Sequence, residues 1–215
     1  MNMISASAAA PAAALLPAVH DPDTSSAIFA AAQLLLPHLE RGQRVDAATL
    51  RSAMESAFGT SDATGAWDWK TAYDASEAAT VLFLRKYGRA LFRKAASPAA
   101  RLSALSKITG LLPTHTRRSE EAQTFQQFST PIPLALAAAT AAAITPADRV
   151  LEPSAGTGLL AIFGEIAGGS LALNELAETA PASFLSSFRP WLSRASTRPR
   201  STTISIHGRS RASCS

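Results

Sequence analysis

The pattern of apolar and polar positions divides this chain into four stretches. Residues 1–24 are rich in Ala, Pro and Ser without a usable period, which predicts a flexible arm. From 25 to 112 the spacing is helical. Ser25 or Ser26 is placed to cap a helix running toward Leu39, with Pro37 near its end and Gly42 beyond. Asp46 precedes Leu50, Met54 and Phe58, which recur every four residues as the apolar stripe of a second helix. After Gly59 and Gly65, the series Trp69, Tyr73, Phe83, Tyr87 and Leu91 predicts a long buried helix. Ser97-Pro98 then supplies an N-cap and first-turn pair for another helix ending at Gly110. This stretch predicts an all-α module.

From 113 to 179 the grammar changes. Ser129-Thr130-Pro131 opens an Ala-rich helix from about Pro133 to Ala143, and Arg149-Val150-Leu151-Glu152-Pro153 reads as a short strand. A glycine loop follows, then a helical run from Leu159 to Ile166. Gly168-Gly169 turns the chain into a second strand, Ser170 to Leu173, ending at Asn174-Glu175. The expected fold class is therefore α/β: a helical module followed by one βαβ unit of a doubly wound, Rossmann-like sheet. The two strands should be adjacent and parallel, with Glu175 directed toward Gly156.

Composition narrows the function. Apolar residues make up 47% of the 215 and charged residues only 17%, which suits a globular chain. No uninterrupted apolar run approaches the roughly 18 residues of a membrane span. Met1 to Ala6 lacks the Lys or Arg of a secretory leader, and the single Cys214 permits neither an intrachain disulfide nor a thiolate cluster. The expectation is a cytoplasmic protein without membrane or metal. The four histidines, at 20, 38, 115 and 207, have no metal-ligand spacing.

The last stretch, 180–215, holds six Arg and ten Ser but no Lys or acid, so the overall +4 leaves the first 179 residues at −2. The basicity belongs to the tail and not to a folded nucleic-acid surface. No strand or helix period is read in the tail, and it is expected to be disordered. It fits a basic, RS-like segment or an out-of-frame ending. The second is favoured because plausible codons for residues 200–214, read from the third base, encode an acidic turn and an apolar strand.

The chemistry concentrates in Glu152-Pro153-Ser154-Ala155-Gly156-Thr157-Gly158, between strand and helix. Gly156 and Gly158 allow a tight bend and close approach of backbone to ligand, and a helix N-terminus follows. Glu175 comes 19 residues after Gly156, where an acid can accept hydrogen bonds from ribose hydroxyls. With Ala161 in the third-glycine place, the pattern formally permits a dinucleotide. An acid at Glu152, however, suits a cofactor carrying an ammonium group and repels a pyrophosphate.

Gln126-Gln127-Phe128-Ser129-Thr130-Pro131 resembles the Q-F-(F/Y/S)-T-P segment of adenine-N6 DNA methyltransferases, and the glycine loop resembles their E/D-P-(S/A)-x-G-T-G loop. The two occur in the family's order, 21 residues apart from Pro131 to Glu152. From about Leu112 to Glu178 the chain is similar to the N-terminal methylase region of bacterial methylase/helicase proteins of the strawberry-notch type. The resemblance implies S-adenosylmethionine as cofactor, contacted by Thr130, Pro131, Glu152, Pro153, Ala155, Gly156, Gly158 and Glu175. It also implies nucleic acid as the partner of the intact family. The family's (N/D/S)-P-P-aromatic loop, which holds the target amino group, is not found: the only asparagines are Asn2 and Asn174, and neither precedes Pro-Pro. No catalytic residue is assigned, and the chain is expected to be an incomplete methyltransferase, inactive alone. A non-catalytic interaction module or decayed reading frame is the alternative, and a dinucleotide-binding protein is a weaker one.

Trp67-Asp68-Trp69 reads as packing at a helix start. Arg85-Lys86, Arg89 and Arg93-Lys94 read as a basic strip on a solvated helix face.

Overall fold

The computed structural model describes residues 22–113, 129–175 and 202–206, and its first helix, α1 (Pro22–Glu40), opens earlier than the sequence suggests. Ser25 and Ser26 lie inside α1, not at its cap, and Ser25 is buried. Pro22 supplies a preset φ at a position where an N–H has no helical partner. Pro37 falls in the last turn, so its missing N–H removes a bond near the end and the helix is not broken in the middle.

The next boundaries follow local capping chemistry. Asp46 accepts a hydrogen bond from the Thr49 N–H at 2.8 Å and starts α2 (Ala47–Phe58). Asp68 accepts from the Thr71 N–H at 2.8 Å and starts α3 (Trp69–Lys94), after a single 3₁₀ turn at Asp62–Thr64. Ser97 does the same for α4 (Pro98–Thr109) through the Ala100 N–H. Trp67 is buried and its Nε1–H donates to the Thr60 carbonyl, so it packs as expected.

α1 lies along α3, and α2 packs on α1. The enclosed side chains of this half are Ile28, Ala31, Ala32 and Leu35 of α1, Leu50 and Met54 of α2, and Ala72, Ala75, Ala78, Ala79, Val81 and Leu84 of α3. Small residues therefore line the middle of α3. Of the aromatics that announced this helix, Tyr73 is buried, while Phe83 and Tyr87 are only half-buried.

α5 (Ile132–Ala141) follows Pro131, and then come β1 (Arg149–Glu152), α6 (Ala161–Ala167) and β2 (Ser170–Glu175). β1 and β2 pair in parallel, with Val150 opposite Leu171 and Glu152 opposite Leu173, as their order predicts. Two glycines let α6 fit between the sheet and α3. A Cβ on Gly164 would stand 2.8 Å from Leu171 Cδ2, and one on Gly88 of α3 would stand 2.5 Å from Ile166 Cδ1. Phe92 and Phe163 stack with centroids 6.0 Å apart, and one apolar cluster runs through both halves.

The basic strip is used in this packing and is not simply a solvated face. Arg85 pairs with Glu165 at 3.0 Å, Arg89 donates to the Glu165 carbonyl, and Lys86 pairs with Glu40 at 2.6 Å. Glu165 Oε2 is buried with no partner among the described residues.

A further strand corrects the reading of the tail. β3 (Thr202–Ile206) pairs antiparallel with β2, placing Thr202 opposite Glu175 and Ile206 opposite Leu171, so the sheet order is β1-β2-β3. Thr-Thr-Ile-Ser-Ile is a β-branched, alternating run of the kind that suits a pleated surface. The arm through residue 21, the motif residues Gln126 to Phe128 and the rest of the tail lie outside the described residues. The observed architecture is mixed α/β. Among the described residues no helix is long and apolar enough to cross a membrane.

Candidate functional site

The glycine loop is built from its own strand ends. At the close of β1, Glu152 Oε1 accepts the Ser154 N–H at 3.1 Å, turning the chain at Pro153. The Ala155 N–H donates to the Asn174 carbonyl at 2.9 Å, and the Asn174 amide returns a bond to the Pro153 carbonyl at 3.0 Å. The loop is thereby pinned to the end of β2. Gly156 and Gly158 have φ of +49° and +83°, a conformation that side chains disfavour. Among the described residues a Cβ on Gly156 would meet no atom within 4 Å.

Behind the loop stands a residue that the sequence did not single out. Glu77, in the middle of α3, is 7% exposed, and its Oε2 accepts two hydroxyls: Ser129 Oγ at 2.6 Å and Thr157 Oγ1 at 2.9 Å. Thr157 lies between the two loop glycines and Ser129 immediately precedes Thr130. One carboxylate of the helical half therefore joins two segments that lie 28 residues apart in the chain. Burial pushes the Glu77 carboxyl up to about 7, helped by the neighbouring Asp74 and opposed by the two hydroxyl donors. Asp74 is itself raised by burial, with Lys70, 3.1 Å away, pulling it back.

The sequence-predicted residues fall as follows. Thr130 is half-buried, and Pro131 is exposed at the start of α5. Glu152 is half-buried at the end of β1 and Pro153 is exposed; Ala155 and Gly158 are buried, while Gly156 is partly open. Glu175 ends β2, but its side chain, and hence its predicted direction toward Gly156, lies outside the described residues, as do Gln126, Gln127 and Phe128. Glu77 had one local signal. It is an acid inside the run Ala75-Ser76-Glu77-Ala78-Ala79-Thr80-Val81, in line with Tyr73 and Leu84 on the apolar face. An acid so placed must find donors or lose its charge.

Among the described residues no three His, Cys, Asp or Glu side chains are grouped to hold a metal ion. No family model matches the chain, and neither the curated proteins nor the solved structures contain a significant match to it.

Proposed function

We propose that residues 129–175 form the S-adenosylmethionine-binding corner of an adenine-N6-type methyltransferase domain, with β1, α6 and β2 as the start of its Rossmann-like sheet. The observation that carries this reading is the meeting of two segments on Glu77. The Ser-Thr-Pro segment and the glycine loop are the two that the resembled family folds around one cofactor, and here they share one carboxylate oxygen. The space before Gly156, clear among the described residues, and the acid at the end of β1 fit a ligand bearing an ammonium group.

In this reading Thr130 and Pro131 lie over the methionine end and Glu152 accepts its ammonium group. Pro153, Ala155, Gly156 and Gly158 shape the loop, and Glu175 takes the ribose hydroxyls. The family chemistry supplied by the bound cofactor is transfer of its methyl group to the amino nitrogen of a flipped adenine. These 215 residues hold no Pro-Pro pair to orient such a nitrogen, so the function proposed for them is cofactor binding without transfer.

Calorimetry with S-adenosylhomocysteine tests the proposal. A dissociation constant of about 1 mM is expected, because the described elements supply only part of an enclosing pocket. Gly156→Asp should abolish binding at a local strain of roughly 1–2 kcal/mol, because Asp is among the side chains that best tolerate positive φ and it would occupy the space before the loop. Equal binding by that variant, or preference for a nicotinamide dinucleotide, overturns the reading.

A further inference from the structure

We infer that Glu77 is the positioning residue of this site, holding the 129–131 segment and the glycine loop at a fixed separation through one shared oxygen. The inference rests on the cofactor reading above only for the identity of the ligand.

Position along α3 carries the first part of the argument. Docking of the strand unit onto α3 is already secured two to four turns further on, by Gly88 against Ile166, by Phe92 on Phe163 and by Arg85 with Glu165. Glu77 is not needed for that docking. An apolar side chain there would avoid the desolvation of a buried carboxyl, so a purely architectural role is the costlier explanation.

The second part is connectivity. Backbone hydrogen bonds tie the loop to β2, through Ala155 and Asn174, and tie the start of α5 to Pro131. Neither set joins the loop to the 129–131 segment. The two hydroxyl bonds to Glu77 do, and they act one residue away from Thr130 on one side and between Gly156 and Gly158 on the other. One Glu77 oxygen accepts both hydroxyls at once, and those bonds are strongest when the carboxyl is ionised, above about pH 7. Separation of the two ligand-facing segments is thus set from the helical half.

The test uses the full chain and its Glu77→Gln, Glu77→Leu and Thr157→Val variants, with amide hydrogen exchange at Ala155 and Gly158 as readout. Leu fills the space without an acceptor and should lower protection at both amides by about tenfold, as Thr157→Val should. Gln keeps an acceptor oxygen and should stay within about threefold of the parent. Adding Thr157→Val to Glu77→Leu should lower protection no further, because the bond that it removes is already gone. The Leu50 amide in α2, bonded to the Asp46 carbonyl, reports whether the helical half remains folded. If Glu77→Leu does not fold, Thr157→Val and Glu77→Gln still decide the matter. S-adenosylhomocysteine affinity should follow the exchange, lost by about tenfold in Leu and kept in Gln. Loop protection indifferent to both Glu77→Leu and Thr157→Val overturns the inference, whatever the ligand does. The expected exchange pattern without any binding by the parent chain supports the positioning role and sinks the cofactor reading alone.

Discussion

Both halves bury some leucines and leave others exposed, Leu34 and Leu102 at 48% and 41% among the helices, but the strand half leaves one face of its sheet open. Leu35, Leu50 and Leu84 are 0% exposed, enclosed by α1, α2 and α3. In the sheet, Leu171 and Leu173 are equally buried, but Leu151 on β1 is 67% exposed. Register explains the split. Val150 and Leu171 are partners and both lie near Gly164, so they face α6, whereas Leu151 and its partner Ala172 point to the other face. Among the described residues the sheet is covered on one side only. The helical half closes its own core, and the strand half borrows α3 for part of its cover.

Substitutions should grade this contrast. Leu84→Ala is expected to cost about 3–4 kcal/mol in urea denaturation, from lost burial plus the cavity left behind. A cost below about 1 kcal/mol would mean that the helical core can collapse around the gap, and the contrast would weaken.

Glu77→Gln comes next, with a sign that depends on pH. The folded carboxyl is raised from 4.5 to about 7, so the native state binds more protons than the unfolded state between those values. Stability from this group is fully present below about pH 4.5 and is lost as pH rises through about 7, by up to about 3 kcal/mol. Glu77→Gln should therefore be more stable than the parent near pH 8 and close to it near pH 5. A variant equally destabilised at both would contradict the burial argument. Asp74 is raised in the same direction, so some pH dependence should survive in the variant.

Gly88→Val attacks the seam between the halves. Its branched side chain must displace Ile166, for an expected loss near 2 kcal/mol, and Ile166→Ala in the same chain should recover part of it. Failure of that recovery would show that the close approach is not what Gly88 provides. Smallest of all, Leu151→Ala should change stability by less than about 0.5 kcal/mol. A loss as large as that of Leu84→Ala would show that the outer face is covered after all.

Legibility in the sequence followed the range of the interactions. Asp46 and Ser97 announce their helices because each cap bonds a residue three positions on, whereas Asp68, which does the same for α3, reads in the sequence only as packing at a helix start. The strand, glycine loop, helix and strand were readable for the same reason. Ser25 misled because a Ser near a helix start resembles a cap even when the helix has already begun at Pro22. Arg85 and Arg89 looked like a solvated strip because their partner, Glu165, is 80 and 76 residues away. Glu77 was missed on the same ground, with partners 52 and 80 residues distant. β3 is a different case: its alternation was present in Thr202 to Ile206 and was obscured by the Ser/Arg composition around it.

Those two spans also bear on the order in which the molecule assembles. α1 finds α2 as its next neighbour in the chain, while the bonds to Glu77 close loops of 52 and 80 residues. Contacts of long sequence separation form late, because loop closure must be met before they can reward it. In a chain emerging from its N-terminus, the residues of α1, α2 and α3 are available before Thr157 has been synthesised. Until residues 129 and 157 arrive, Glu77 lacks both of the hydroxyls that it accepts in the folded protein. The last tertiary bonds to form would be those that shape the loop, and a stopped-flow probe there should lag one in α1.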